Sequence, residues 1–135
     1  MTSGTIGLRF GGGPATQGSS GSRANQPSSE AAPSGPPVRI GGTLALTGPL
    51  GSQAIIHKIV ADVYVEQLNR KNGLLGRPVE YVLLDDQSKP EMTRVLYERL
   101  LTSEKVDLVL GAFGTGLNMS AIAVAQRYQK ILITA

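Results

Sequence analysis

From residue 38 onward, apolar and polar positions change rhythm several times. Val38 to Leu46 reads as a strand, interrupted by Gly41 and Gly42. Ser52 can cap a helix running to about Asn72, with Ile56, Ile59, Val60, Val63, Tyr64 and Leu68 forming an i, i+3, i+4 stripe. Glu66 and Arg70 stand four apart on that helix, the spacing of a helical ion pair. Asn72-Gly73 is a stop signal, with Gly73 suited to a left-handed position after the last turn. A second strand spans Val79 to Leu84. "SKPE" at 88–91 then reads as a helix start: Ser88 as N-cap, Pro90 in the first turn, Glu91 closing a capping box. Met92, Val95, Leu96 and Leu100 are the stripe expected to face the sheet. The third strand, Val106 to Leu110, is almost wholly apolar, as a strand covered on both faces should be. "GAFGTG" leads to a helix of small residues from about Leu117 to Gln129, and Ile131 to Thr134 is a fourth strand.

Strands alternating with helices define an α/β class, because helical crossovers join parallel strands and are almost always right-handed. The expected architecture is a partial, truncated doubly wound parallel sheet in the order 2-1-3-4. Its fourth strand has no closing helix, so the chain reads as a fragment of something longer. Residues 1–37 differ in kind. They are rich in Gly, Ser, Pro, Ala and Gln, with too little apolar surface to offset chain entropy, and read as a disordered segment preceding an ordered domain at 38–135.

Composition removes several function classes. A net charge of +3 with no Lys/Arg cluster interleaved with aromatics argues against nucleic acid. With no cysteine and one histidine, His57, neither a disulfide, a cysteine zinc site nor a multi-histidine metal site is expected. No apolar run approaches the ~18 residues of a membrane span. "MTSGTIGLRFGGG" shows no recognisable export signal, since it lacks a continuous apolar core.

The candidate chemistry lies in two glycine-rich loops, "LTGPLGS" after strand one and "GAFGTG" after strand three. In a 2-1-3-4 sheet these loops diverge at the strands' carboxyl ends and leave a crevice. Each feeds a helix N-terminus, where unpaired N–H groups and the helix dipole favour an anion. A P-loop would end in Gly-Lys-Ser/Thr, and "GPLGSQ" has no lysine. A dinucleotide fingerprint needs G-x-G-x-x-G, and neither loop has it. A nucleotide-dependent enzyme is therefore disfavoured, and a small carboxylate or polar ligand remains. Asp85 and Asp86 are adjacent at a strand end, point to opposite faces and read as structural or solvated. Tyr64, Tyr97 and Tyr128 read as packing residues, and His57 as a partly exposed residue on a helix flank without a nucleophile nearby. Gly48, Pro49 and Gly51 read as turn-formers that shape a wall.

Taken together, "VRIGGTLALTGPLG", "YVEQLNRKNGLLGRPVE", "LLDDQSKPE" and "VDLVLGAFGTG…ILITA" resemble the type I periplasmic binding proteins, in particular the Leu/Ile/Val-binding, amide- and aromatic-acid-binding receptors of ABC importers. The resemblance covers 38–135, which would be the N-terminal part of lobe one of a two-lobed, leucine-binding-type protein. It implies a periplasmic solute-binding component of an importer of branched-chain amino acids or related small organic acids or amides. Such a protein is not an enzyme, needs no cofactor, and has a small-molecule ligand and ABC permease subunits as partners. In amino-acid-binding members a Ser/Thr after strand three holds the ligand carboxylate. Ungapped spacing from Gly111 puts that role on Thr115, with neighbouring amides such as that of Gly114. Thr115 equally suits a turn or N-terminal cap of the third helix. The loop after strand one lines the side-chain pocket in the family, here Leu50, Gly51 and Gln53. A cytoplasmic amide-sensing regulator of the same fold is the alternative role.

Overall fold

The structure, a computed structural model, describes residues 31–134. Seven elements follow in the order β1 (Val38–Leu44), α1 (Gly51–Arg70), β2 (Val79–Asp85), α2 (Pro90–Thr102), β3 (Leu108–Leu110), α3 (Thr115–Arg127) and β4 (Leu132–Ile133). The four strands form one sheet in the order β2-β1-β3-β4, and every pairing is parallel. The expected α/β class and strand order are both present. β1 carries most of the pairing. It runs in register with β2 from Val38↔Val79 to Leu44↔Asp85, and joins β3 at Ile40↔Leu108 and Gly41↔Val109.

The glycines that interrupt the first strand have a packing reason. A Cβ at Gly41 would lie 2.9 Å from Val106 Cγ2 and 3.1 Å from Leu100 Cδ2, so the missing side chain lets α2 and the segment before β3 close onto β1. The main core lies there. Tyr97, Leu100, Val106, Val109, Leu117, Ala121 and Val124 are buried between the sheet and the α2–α3 pair. A smaller cluster of Leu44, Ala45 and Ala54, with Leu50, Leu83 and Phe113 against it, joins α1 to the carboxyl ends of the strands.

Two helical stripes differ from expectation. In α2 the buried residues are Thr93, Tyr97, Leu100 and Leu101, whereas Val95 is 60% exposed. The helix is rotated so that two side chains with hydroxyls turn inward. Each finds an acceptor: Thr93 Oγ1 donates to the Lys89 carbonyl (3.0 Å), and Tyr97 Oη donates to the Leu110 carbonyl. In α1, Ile56, Ile59, Val60, Val63 and Tyr64 stay exposed, Tyr64 at 64%, because no described element packs over them. Ile56, Val60 and Tyr64 border an apolar groove of about 420 Å³ shared with Ile40, Leu68, Val79 and Tyr81. Tyr64 is therefore not the packing residue its spacing suggests, while Tyr97 is fully buried and Tyr128 partly so.

α1 ends by a left-handed cap, with Asn72 rather than Gly73 in the first position beyond the C-cap. Asn72 (φ 73) and Gly73 (φ 67) are both left-handed, and Gly73 N–H donates to the Leu68 carbonyl at 2.8 Å. Asn69, one turn earlier, donates to the Val79 carbonyl (2.9 Å) and accepts from its N–H (2.7 Å), pinning the helix end to the start of β2. Glu66 and Arg70 form the expected ion pair. The expected loose segment 1–37 falls mostly on residues 1–30, outside the described ones. Within 31–37, Ser34 N–H donates to the Gly76 carbonyl (2.9 Å), and Arg77 donates to the carbonyls of Pro36 (2.7 Å) and Pro37 (3.1 Å).

Adding a methyl group at Gly41 overpacks the contact with Val106. Gly41→Ala is expected to lower stability by about 1–3 kcal/mol in urea unfolding, whereas the same change at the open Gly116 leaves the midpoint within the much smaller range set by helix propensity.

Candidate functional site

Parallel pairing of β1 with β3 brings the loops after them to the same sheet edge. Leu50, at the end of the first loop, faces Gly114 of the second: a Cβ at Gly114 would lie 3.5 Å from Leu50 Cδ1. Beside this contact opens a cleft of about 550 Å³ at the carboxyl ends of β1, β3 and β4. Gly111, Gly114, Thr115, Asn118 and Thr134 give it a polar side. Leu44, Phe113, Met119, Ile122 and Ile133 give it an apolar one.

Gly114 and Thr115 stand at the start of α3. Gly114, at φ 100, is the N-cap residue, and no side-chain hydrogen bond caps this helix. Thr115 is the first helical residue. It is exposed, and its hydroxyl makes no hydrogen bond among the described residues, so it does not serve as the cap. The first N–H groups of a helix are left without intrahelical acceptors. Here they carry the positive end of a 13-residue helix, and no acidic residue occupies its first turn.

The three residues expected from the first loop do not line this cleft directly. Leu50 supports it from behind, in the small core with Leu44, Ala45 and Ala54. Gly51 begins α1, and Gln53 is exposed one turn in. Two aromatic rings stand there instead. His57 packs on Phe113 with ring centroids 4.6 Å apart and planes tilted by 42°, and His57 Nδ1 donates to the Gln53 carbonyl at 3.1 Å. His57 and Phe113 both line the cleft. Sequence periodicity put His57 on a helix flank but gave no sign of the ring opposite, which comes from a loop 56 residues later. Asn118 was likewise hidden, one turn into a helix expected to begin at Leu117. Its Nδ2 donates to Thr134 Oγ1, and its Oδ1 is buried without a hydrogen-bond partner among the described residues.

The first loop is shaped by the loop after β2. Asp85 accepts from Thr47 N–H (3.2 Å), Thr47 Oγ1 (2.7 Å) and Gln87 N–H (2.9 Å). Ser88, expected to cap α2, does not. The N-cap is Lys89, without a side-chain cap, and Pro90 occupies the first turn. Gln87 (φ 54) and Ser88 (φ 62) are both left-handed, which turns the Ser88 hydroxyl back toward the first loop. There it donates to the Thr47 carbonyl and accepts from Leu50 N–H, both at 3.2 Å. Gly48 (φ 87) permits this approach, since a Cβ there would lie 2.6 Å from the Gln87 carbonyl oxygen.

Asp85 and Asp86 point to different partners, as adjacent strand-end residues should. Asp86 is fully buried. It accepts from Thr43 Oγ1 (2.7 Å) and Ser88 N–H (3.0 Å). Burial drives its carboxyl above the ordinary value despite those bonds, and the charge of Asp85 adds to the rise. Burial also pushes Asp85 upward, but the bonds from Thr47 and from backbone N–H groups outweigh it, and its net shift is downward. The two carboxyls therefore act oppositely on stability. The contribution of Asp86 is complete below its unfolded-state pKa and is lost as pH rises through the folded value. That of Asp85 is present above its unfolded-state pKa and is lost as pH falls through the folded value. This is a scaffold for a loop; neither carboxyl lines the cleft. Among the described residues no cluster of His, Cys, Asp and Glu could hold a metal ion, and no helix is long and apolar enough to cross a membrane.

The periplasmic binding protein family model matches residues 37–135. The chain is 37% identical over 98 residues to the chemotactic signal transduction system substrate-binding protein BasB of Halobacterium salinarum, a match covering 68% of this chain and 24% of that protein. Among solved structures it is similar to the branched-chain amino acid transporter substrate-binding protein LivJ of Streptococcus pneumoniae, crystallised with isoleucine, with a TM-score of 0.70, 25% identity, and coverage of 73% of this chain and 28% of LivJ. It is also similar to a possible leucine/isoleucine/valine-binding protein of Rhodopirellula baltica, with a TM-score of 0.63, 26% identity, and coverage of 72% and 28%. The chain thus spans about a quarter of the length of these relatives.

Removing the Thr43 hydroxyl leaves the Asp86 carboxylate buried with one fewer donor. Thr43→Val is expected to cost about 1.5–3 kcal/mol at neutral pH in urea unfolding. The deficit should shrink as pH falls through the Asp86 titration, because the protonated acid needs the donor less. A deficit independent of pH would place the loss in packing instead.

Proposed function

The chain belongs to the periplasmic binding protein family, and we propose that it forms the N-terminal part of lobe one of a solute-binding component of an ABC importer. The proposed cargo is a branched-chain amino acid or a related small organic acid or amide, bound and released unchanged. The observation that carries this reading is Gly114 and Thr115, which present a helix N-terminus without a side-chain cap to a cleft whose lining also includes apolar residues. That arrangement suits a molecule with an anionic end and a hydrocarbon end. The Thr115 hydroxyl and the α3 amides would take the carboxylate. Phe113, Met119 and Ile133 would meet the side chain, and Leu50 would hold the loop wall in place. The likeness to LivJ, crystallised with isoleucine, supports the same ligand class.

A second lobe would supply the rest of the binding site and close over the ligand, presenting the loaded form to permease subunits in the periplasm. The exposed apolar stripe of α1 is where further polypeptide of the lobe would pack. One comparison favours a second role for the same site: the relative BasB serves chemotactic signal transduction, so the loaded protein would report to a receptor as well as, or instead of, a permease. Deleting the gene separates the two, since loss of isoleucine uptake indicates transport and loss of attraction with intact uptake indicates sensing.

A hydrogen bond to a charged group contributes about 1.5–3 kcal/mol. Thr115→Val is therefore expected to weaken isoleucine binding by roughly one to two decades in calorimetry on the complete polypeptide. Unchanged affinity removes Thr115 from the site.

A further inference from the structure

Ser88 spends its hydroxyl in an unexpected place. Three sequence signals, Ser88, Pro90 and Glu91, suit a helix cap, yet the side chain leaves the helix and bridges the Thr47 carbonyl to the Leu50 N–H. It reaches them because two consecutive non-glycine residues, Gln87 and Ser88, hold left-handed backbone conformations, which cost free energy and persist only where the surroundings fix them. The surroundings do fix them. Asp85 and Asp86 each accept the N–H two residues on, from Gln87 and Ser88 respectively. Asp85 also holds Thr47 through its hydroxyl and its N–H. Gly48 leaves room for the Gln87 carbonyl at a distance no side chain would allow. The contacts from Asp85, Gln87 and Ser88 to the first loop converge on Thr47–Leu50, and Leu50 in turn meets Gly114 beside Thr115.

We infer that Ser88, braced by Asp85, is a positioning residue for ligand affinity: it fixes Leu50, and through Leu50 the Gly114–Thr115 wall, without touching the ligand itself. This rests on the reading of the Gly114–Thr115 cleft as the binding site. The loop after β2 thereby becomes part of the binding apparatus, although none of its residues lines the cleft. An unbraced first loop would have to be ordered at the moment of binding, and that ordering would reduce affinity.

The test uses Ser88→Gly and Ser88→Ala in the complete polypeptide, second lobe included, with isoleucine as the probe. Glycine suits a φ of 62, so Ser88→Gly is expected to hold or raise the thermal midpoint while lacking the hydroxyl. In both variants the Leu50 amide should exchange with solvent at least about tenfold faster, while the Gly73 and Val79 amides, whose acceptors Leu68 and Asn69 lie away from the first loop, keep their protection. Isoleucine affinity should fall about tenfold in both. A Leu50 amide as protected as in the wild type overturns the inference. So does a uniform loss of protection with a lowered midpoint, which would make Ser88 a general stability residue, and so does unchanged affinity with a freed Leu50. If the complete wild-type polypeptide binds no isoleucine, it is the functional reading that fails on that ligand, and the exchange rates still decide whether Ser88 holds the loop.

Discussion

β1 is paired on both sides, with β2 at one edge and β3 at the other, and the remaining features depend on that double parallel pairing. Parallel strands deliver their loops to the same edge of a sheet. Because β1 and β3 are neighbours, the loop after β1 and the loop after β3 must meet there. Because β1 and β2 are neighbours, the loop after β2 stands directly behind the first. One strand thus gathers three loops: the third-strand loop lines the cleft, the first-strand loop backs it through Leu50, and the loop after β2 steadies the first.

The chemistry is divided accordingly. Backbone amides and a threonine hydroxyl at the head of α3 face the cleft, where the helix dipole favours negative charge. The charged side chains stand one layer back. Asp86 is buried on Thr43 and Asp85 is tied to Thr47, so their negative charge is absorbed by donors rather than aimed at an incoming anion. A site for a small acid is better served by this separation than by carboxylates in the cleft itself, since a like charge would oppose the ligand at short range.

Much of the fold was legible in the sequence because it rests on periodicity and punctuation. Seven elements in order and a parallel sheet follow from runs such as Val106–Leu110 and from stops such as Asn72-Gly73, while the 2-1-3-4 order, expected as a doubly wound arrangement, is the one observed. What escaped was whatever a pairwise tertiary contact decides. The α2 stripe was misplaced because Thr93 does not look like a core residue until its hydroxyl finds the Lys89 carbonyl, and because Tyr97, read as a packing residue, lies outside the Met92–Val95–Leu96 stripe and is held inward by the Leu110 carbonyl. Ser88 carried every local mark of a helix cap, and only the approach of Gly48 gave it a better use. The α1 stripe was read correctly as apolar, yet it remains exposed, since its amphipathy says only that something should cover it. In the cleft, Gly114 and Thr115 of the second glycine loop stand where the sequence placed them, whereas Leu50, Gly51 and Gln53 of the first do not line it. The His57–Phe113 pair could be seen only once the strands had brought two distant segments together.

The central claim is that parallel pairing brings the first and third loops into contact. It is tested most directly by proton–proton Overhauser contacts in the chain with its leucine methyls and glycines selectively labelled. A cross-peak between a Leu50 δ-methyl and the Gly114 α-protons is the predicted result. A spectrum in which the Leu50 methyls show contacts to Leu44 and Ala54 but none to Gly114 would contradict the account, because the two loops would then stand apart and the first would lend the wall of the cleft no support.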